Sequence, residues 1–192
     1  MKSLTDKTIV LGSNSPRRRE LLGMLSDDFV TATTKDIDES YPDTLRPDEV
    51  PAYLSKVKAR AYVDDIGDNA ILVTADTVVI LEGSILGKPR DEAQAVEMLR
   101  QLSGKTHTVV TGVTIADHSR QETFTSVTEV DFARLDDDEI RHYVDNYRPL
   151  DKAGAYGIQE WIGAIGISGI RGSFYNVMGL PIHQLYQRLK RW

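Results

Sequence analysis

The sequence is organised around residues 8–22, which read TIVLGSNSPRRRELL. The apolar run at the start of this stretch predicts a buried strand that stops at Gly12, and a helix is expected to begin soon afterwards. Ser15 suits the N-cap of that helix because its hydroxyl can accept a hydrogen bond from a free backbone N–H, and Pro16 is favoured at the first helical position. The stretch therefore predicts a strand, a turn of small residues and a helix start.

Arginines occupy the first turn of this helix, where the helix dipole favours carboxylates. Arg17, Arg18 and Arg19 follow the proline, and no glutamate or glutamine lies three residues after Ser15 to form a capping box. Free backbone N–H groups, the hydroxyls of Ser13 and Ser15, and the guanidinium groups together predict a binding site for a phosphate chain. The alternative is a surface helix whose arginines serve only solubility.

The bulk composition of the 192-residue chain is that of an ordinary soluble globular protein. A formal net charge of -6 argues against a nucleic-acid polymer held on a broad basic face. The absence of cysteine excludes disulfides, thiolate catalysis and cysteine-ligated zinc. Residues 1–7 lack an apolar signal core, and no apolar run is long enough to span a membrane, so we expect a cytoplasmic location without a membrane partner.

An acidic loop is expected after a second strand, which is predicted at residues 29–33. Asp36, Asp38 and Glu39 place three carboxylates within four residues. Such a group could hold a hard cation such as Mg²⁺ together with substrate phosphates. The alternative is an acidic turn that is simply solvated.

A helix is predicted over residues 47–63, with an apolar stripe of Leu54, Val57 and Ala61 on one face. Lys58 follows Leu54 by four residues, so it lies on or beside that face. A lysine in this position needs an anionic partner or a long path to solvent. Lys58 is therefore either a functional cation or a lysine that extends to the surface.

Residues 70–81 are the most apolar run of the chain and predict a long strand, with Asp76 in its middle. A carboxylate there costs several kcal/mol unless it is paired, hydrogen-bonded or bound to a metal. Asp76 is therefore a candidate general base or metal ligand, and the alternative is a structural aspartate that caps a turn. A hairpin turn at residues 82–83 then leads to Lys88, whose position between Gly87 and Pro89 suits a fixed phosphate contact.

The second half of the chain predicts further strands and helices. Helices are expected over residues 91–102 and from a capping box at Asp136 and Glu139. Strands are expected over 106–116 and 121–133, and Pro181 opens a final helix. Residues 151–159 are rich in small residues, which predicts a close approach of backbone to another segment or to a ligand. Composition changes near residues 35 and 135 allow a two-lobed body.

Six motifs in consistent order carry a resemblance to a known family. They are SNSPRR at 13–18, ADTVV at 75–79, GKP at 87–89, SGKTH at 103–107, DKAGAYGIQ at 151–159 and GSFYNVMGLP at 172–181. Over nearly its whole length the chain resembles the Maf family of nucleotide pyrophosphatases. The resemblance implies an α/β fold with a mixed twisted sheet, flanking helices and two lobes around a central cleft (Maf/ITPase-like). It also implies a single domain over 1–192 and a homodimer.

The resemblance further implies hydrolysis of nucleoside triphosphates to monophosphate and pyrophosphate with Mg²⁺ or Mn²⁺. By this analogy Asp76 is the proton acceptor for the attacking water, and Glu39 and Asp76 serve the metal. The residues that would contact substrate phosphates are Ser13, Arg17, Arg18, Lys58 and Lys88, with Ser15 added from its place in the turn.

Three positions indicate the branch of the family. Arg17, Thr77 and Gln159 are similar to those of the dTTP/UTP branch, whereas the 7-methyl-GTP branch has Trp, Gln and Glu in these slots. The Gln159 amide has two donor hydrogens and an acceptor oxygen, which can pair with the imide edge of uracil or thymine. The alternatives are a pyrophosphatase for 7-methyl-GTP or another modified nucleotide, and a nucleotide-binding regulator of division without turnover.

One departure from the family pattern concerns Arg148. Many relatives have Gly-Glu-Pro before the Asp-Lys-Ala-Gly motif, whereas this chain has Tyr147, Arg148 and Pro149. A cation therefore replaces a carboxylate, and Arg148 either replaces a contact or lies on the rim of the cleft.

Overall fold

The computed structural model describes residues 6–192, which form a mixed α/β protein. Within these residues the chain has seven strands: β1 (Thr8–Leu11), β2 (Phe29–Thr31), β3 (Ala70–Leu81), β4 (Ser84–Leu86), β5 (Thr106–Ala116), β6 (Gln121–Phe132) and β7 (Ile167–Arg171). The same residues form seven α-helices: α1 (Pro16–Gly23), α2 (Val50–Tyr62), α3 (Glu92–Leu102), α4 (Asp137–Tyr147), α5 (Trp161–Gly166), α6 (Phe174–Met178) and α7 (Ile182–Leu189). No helix in this described part is long and apolar enough to cross a membrane.

The strands form one mixed sheet in the order β2-β1-β3-β5-β6-β7, and β4 pairs with β3 outside this path. Strand β1 is parallel to both β2 and β3, whereas β4 is antiparallel to β3 and β7 is antiparallel to β6. Three of the four residues of β1 are buried, as expected for a strand with a parallel neighbour on each side. The prediction of an α/β fold with a mixed sheet is confirmed.

The chain forms two compact units. The first consists of the chain up to Asp76, Thr111–Ser126 and Gly179–Trp192, and the second consists of Thr77–Val110 and Val127–Met178. None of these boundaries lies near residue 35 or 135. The boundaries fall within β3, β5 and β6, so each of these strands contributes to both units. A strand keeps a similar composition along its length, so composition does not mark a boundary inside it. The composition breaks therefore mark no boundary.

Local signals for helix ends are reproduced where side chains cap the backbone. Asp91 Oδ1 accepts a hydrogen bond from Gln94 N at 2.7 Å at the start of α3. Asp136 and Glu139 form the predicted capping box of α4, with hydrogen bonds of 2.8 and 2.9 Å. Helix α2 begins later than predicted because residues 46–49 form a separate hydrogen-bonded turn.

The buried face of α2 differs from the predicted stripe. Leu54 is buried as expected, but Val57 and Ala61 are only half-buried, and the fully covered positions include Ser55 and Ala59. The Ser55 hydroxyl hydrogen-bonds the Thr114 hydroxyl at 2.9 Å and donates to Ala52 O at 2.9 Å. Hydrogen bonding therefore allows a polar residue to take the place that hydrophobic periodicity assigned to an apolar one.

Candidate active site

The turn after β1 has the geometry that the sequence predicts. Gly12 N donates to Val73 O at 2.9 Å, and an added Cβ at Gly12 would lie 2.8 Å from Thr74 Cγ2, so only glycine fits beside β3. Ser15 is the N-cap of α1, with Pro16 as the first helical residue. The Ser15 hydroxyl accepts from the backbone N–H of Arg18 at 3.4 Å. Strand, turn and helix start are confirmed.

Arg18 turns back over this loop. Its Nε donates to Gly179 O at 2.8 Å and its Nη1 donates to the Ser13 hydroxyl at 3.4 Å. Burial lowers the pKa of the Arg18 guanidinium, while the charges of Asp76 and Glu39 act in the opposite direction. A half-buried arginine near two carboxylates is more than a solubilising surface charge.

Arg17 is also half-buried, whereas Arg19 is exposed. The interpretation of the first turn as a plain solvated surface therefore fits Arg19 alone. Gly179, which accepts the hydrogen bond from Arg18, was not identified from the sequence as part of this loop. Its place in the last of the six motifs was the only signal, because the type of a residue does not show which hydrogen bond its backbone carbonyl accepts.

Lys58 lies between two of the candidate carboxylates. Its Nζ is 2.7 Å from Asp76 Oδ1 and 3.1 Å from Glu39 Oε1. The side chains of Lys58 and Asp76 are only 13% and 12% exposed, whereas that of Glu39 is 55% exposed. The buried strand carboxylate is therefore paired, as its position requires, and Lys58 has an anionic partner rather than a path to solvent.

The acidic loop does not gather its carboxylates. Asp36 and Asp38 are exposed, and Asp38 accepts a hydrogen bond from Ser40 N at 2.9 Å, which lowers the Asp38 pKa. Within residues 6–192 no group of three or more His, Asp or Glu side chains is arranged to hold a metal ion. Asp36 and Asp38 therefore lie in a solvated turn, which was the alternative interpretation of this loop.

Glu39 and Asp76 nevertheless fit a divalent cation shared with a substrate. Their carboxylate oxygens both approach one positive charge, the Lys58 ammonium, at 3.1 and 2.7 Å. Hard oxygen ligands of this kind are what Mg²⁺ takes from proteins, with phosphate oxygens and water completing its shell. Two carboxylates are enough to hold such a cation when other ligands complete its shell.

Three further candidates lie in the second unit. Thr77 directly follows Asp76 in β3 and is half-buried, Lys88 is exposed in the loop after β4, and Gln159 is exposed in the turn before α5. Gly154 N donates to Gly87 O at 3.1 Å, which ties the small-residue stretch to the loop that carries Lys88. Of the two predicted partners for that stretch, the structure shows another segment of the chain.

A buried polar cluster in the second unit was missed by sequence reasoning. Lys152 Nζ is 2.7 Å from Asp151 Oδ1 and 3.1 Å from Glu160 Oε1, and the Tyr143 hydroxyl hydrogen-bonds Glu160 Oε2. Lys152 is the one charge buried among the small residues of its motif. That isolated charge was the available signal. Glu160 lies 8 residues after Lys152 and Tyr143 lies 9 residues before it, so spacing did not point to the cluster.

Arg148 makes a contact in the same unit. It adopts a left-handed backbone conformation at the end of α4, and its Nη2 is 3.2 Å from Glu92 Oε1 at the start of α3. Both side chains are at least half exposed, so this ion pair contributes little to stability. Arg148 therefore makes an ion pair with Glu92 at this position.

The family described as Maf-like protein matches residues 8–192. The chain belongs to the Maf family. A Bacteroides fragilis protein named dTTP/UTP pyrophosphatase is 55% identical over 183 residues, which is 95% of each chain. A Phocaeicola vulgatus protein of the same name is 50% identical over 191 residues, covering 100% of this chain and 99% of the relative.

A distant solved structure shares the architecture of this Maf chain. The structure of a HAM1 protein from Coxiella burnetii has a TM-score of 0.56 and 17% sequence identity, and the match covers 97% of this chain and 100% of that chain. At this identity the likeness establishes a common fold and nothing about substrate.

Proposed function

We propose that this Maf protein hydrolyses dTTP and UTP to the nucleoside monophosphate and pyrophosphate, with Mg²⁺ or Mn²⁺. The observation that carries the proposal is the gathering of Arg18 and Lys58 around Asp76, which places two cations beside one poised carboxylate. The names of relatives that are 50–55% identical over nearly the whole chain support the same reaction. In this proposal residues 1–192 act as one domain, in a cytoplasmic homodimer.

The loop after β1 binds the phosphates. The hydroxyls of Ser13 and Ser15, in the turn that leads into α1, are suited to anionic oxygens. Arg17 and Arg18 supply positive charge on the same turn, and the family resemblance assigns a phosphate contact to Lys88 as well. Phosphoryl chemistry depends mainly on such charge stabilisation, because charge on the leaving pyrophosphate grows as the bond breaks.

Asp76 orients and deprotonates the water that attacks the α-phosphorus. Lys58 binds Asp76 Oδ1 at 2.7 Å and so fixes the direction of the carboxylate. We assign Oδ2 to the water. A base placed in this way contributes on the order of a hundredfold or more to the rate.

Glu39 and Asp76 would hold the divalent cation together with phosphate oxygens. When bound, the metal supplies neutralisation of phosphate charge. Lys58, which bridges the two carboxylates, is then available to phosphate oxygens within reach of its ammonium. The Gln159 amide reads the imide edge of thymine or uracil, and Arg17 and Thr77 are, by resemblance, the other two marks of the dTTP/UTP branch.

The test is pyrophosphate release from dTTP, UTP and 7-methyl-GTP, each with Mg²⁺, with Mn²⁺ and with chelator. We expect release from dTTP and UTP in either metal, and none with chelator. Asp76→Asn should lower the rate at least about a hundredfold while the thermal unfolding transition remains cooperative. Asp64→Asn is the matched control, because Asp64 is an exposed aspartate in the turn that follows α2 and should leave the rate unchanged.

Other outcomes would replace this function with a different one. A preference for 7-methyl-GTP would assign the protein to the other branch of the family. Tight nucleotide binding with no product over hours would make it a nucleotide-binding regulator. Near-normal turnover by Asp76→Asn would remove Asp76 from the role of base.

A further inference from the structure

The backbone that carries Gln159 is a tight turn. Glu160 N donates to Gly157 O at 3.0 Å, which makes Gln159 the third residue of a four-residue turn. The next hydrogen bond, from Gly163 N to Glu160 O at 2.9 Å, joins this turn to α5. Gln159 is exposed, so the direction of its amide depends on how firmly the turn itself is held.

One hydroxyl holds both ends of this turn. The Tyr143 hydroxyl accepts a hydrogen bond from Gly157 N at 3.0 Å and donates one to Glu160 Oε2. Tyr143 lies on α4, is completely buried and stacks its ring on that of Tyr147, with ring centroids 5.1 Å apart. A single atom, the Tyr143 hydroxyl oxygen, therefore links both ends of the turn to the rigid helix α4.

A second charge holds the same carboxylate. Lys152 Nζ is 3.1 Å from Glu160 Oε1, and its side chain is only 10% exposed. An added Cβ at Gly157 would lie 2.8 Å from Glu160 Cδ and 3.0 Å from Lys152 Cε, so the glycine makes room for both side chains. Glu160 thus has a partner on each oxygen, and its carboxylate cannot turn without breaking a contact.

Buried polar clusters of this kind are weak sources of stability. Desolvation of a lysine, a glutamate and a tyrosine hydroxyl offsets most of their mutual attraction, and apolar side chains of the same volume often stabilise a fold as well. What a fully bonded cluster supplies is one defined geometry. Burial and the hydrogen bond to Glu160 raise the pKa of Tyr143 well above its ordinary value, so the hydroxyl keeps its proton at any working pH.

We propose that Tyr143 is a positioning residue for base selection: through Gly157 and Glu160 it fixes the turn that presents Gln159 to the nucleobase. This inference rests on the proposed function, in which Gln159 reads the imide edge. Thymine and cytosine differ in donor and acceptor pattern at that edge, and an amide distinguishes them only if its orientation is fixed. Loosening the turn should therefore reduce the discrimination between thymine and cytosine before it reduces the rate of hydrolysis.

The experiment compares kcat/KM for dTTP and dCTP in Tyr143→Phe, which keeps the buried ring and removes the hydroxyl. We expect the dTTP-to-dCTP ratio to fall about tenfold, equivalent to one lost hydrogen bond, through a higher KM for dTTP with kcat nearly unchanged. Tyr147→Phe is the matched control, because it removes the hydroxyl of the stacked, 40% exposed neighbour and should leave the ratio as it is.

Two further variants separate the possible failures. Gln159→Ala should lower the ratio at least as far as Tyr143→Phe. If Gln159→Ala lowers it and a folded Tyr143→Phe does not, the positioning role is overturned while the proposed function stands. If Gln159→Ala leaves it unchanged, Gln159 does not read the base and the inference fails with it. Should Tyr143→Phe not fold, Glu160→Gln, which weakens the Lys152 contact, must lower the ratio, and an unchanged ratio overturns the proposal.

Discussion

Asp76 is a carboxylate within a buried strand, and its residue-level surroundings explain how the fold accommodates it. Lys58 reaches it from α2 with a 2.7 Å contact, and Arg18 contributes a second positive charge. An unpaired carboxylate in such a place costs several kcal/mol, so Lys58 has a structural role as well as the proposed catalytic one. The requirement for a partner was predictable from the apolar run alone, and the helical spacing from Leu54 made Lys58 a candidate for that partner.

Replacing Lys58 by methionine should test the structural role. Lys58→Met leaves the Asp76 charge buried without its ammonium, and we expect the free energy of unfolding to fall by about 3 kcal/mol. Adding Asp76→Asn to this variant should restore part of the loss, because no charge is then left buried. Urea denaturation measures the free energy of unfolding of the single and the double variant.

Lys56→Met on the same helix is the control for that comparison, since Lys56 is exposed. Its effect should stay within about 0.5 kcal/mol of wild type. Equal stability of Lys56→Met and Lys58→Met would contradict a stabilising role for the ion pair.

At the scale of elements, the sequence predicted strands more accurately than helix faces. β3 and β5 have the predicted bounds because long β-branched runs have one favoured conformation and clear turn signals at their ends. The face of α2 was wrong because Ser55 is buried through hydrogen bonds, and a polar residue counts as exposed in any hydrophobic pattern. The backbone atoms around Gly112 in β5 show how closely α2 packs on this strand.

The packing of α2 on β5 depends on the absence of a side chain at Gly112. A Cβ added there would lie 2.3 Å from the Pro51 carbonyl carbon, and backbone at that position cannot move without shifting the helix. Gly112→Ala should therefore lower the free energy of unfolding by about 3 kcal/mol or prevent folding. Thermal unfolding compared with Gly67→Ala, where an added Cβ meets nothing within 4 Å, is the check. Similar melting temperatures for the two variants would contradict it.

At the scale of the whole molecule, the candidate residues divide between the two units. Ser13, Arg18, Lys58 and Asp76 fall in the first, and Gln159 falls in the second. Arg18, Lys58 and Asp76 were predictable because each broke a local rule: an arginine at a helix start, or a charge within an apolar pattern. Glu39 broke no such rule and was singled out only by the resemblance. The Tyr143 cluster broke no local rule, since tyrosine and glutamate are ordinary on α4 and beside α5, so only the tertiary structure reveals it.

The acid stability of the whole chain should depend on His107. Its ring is buried against those of Phe132 and Tyr156, and Nε2 is 2.7 Å from the Tyr156 hydroxyl. Burial lowers the His107 pKa from 6.5 to about 4, with the charge of Asp131 opposing the shift. Since the unfolded chain binds the proton more tightly, stability is complete above pH 6.5 and falls as the pH drops towards 4. The loss amounts to about 3 kcal/mol.

The measurement is the free energy of unfolding between pH 7 and pH 4 for wild type and His107→Gln. The variant should be less stable at pH 7 but should lose less on acidification, because its side chain takes up no proton. His183→Gln is the control, since His183 is exposed and should leave the wild-type slope in place. Parallel curves for wild type and His107→Gln would refute the assignment.

Because the Lys58 ammonium contacts both Asp76 and Glu39, it affects how a charged ligand approaches this group. Asp76 and Glu39 carry two negative charges, and Lys58 with Arg18 carries two positive ones, so the group is balanced before any ligand arrives. A polyanionic nucleotide diffusing towards an unshielded carboxylate pair would be repelled, and its association would be slowed. Under the proposed function, a nucleotide meets no such barrier here, and we expect nucleotide and cation to bind in either order.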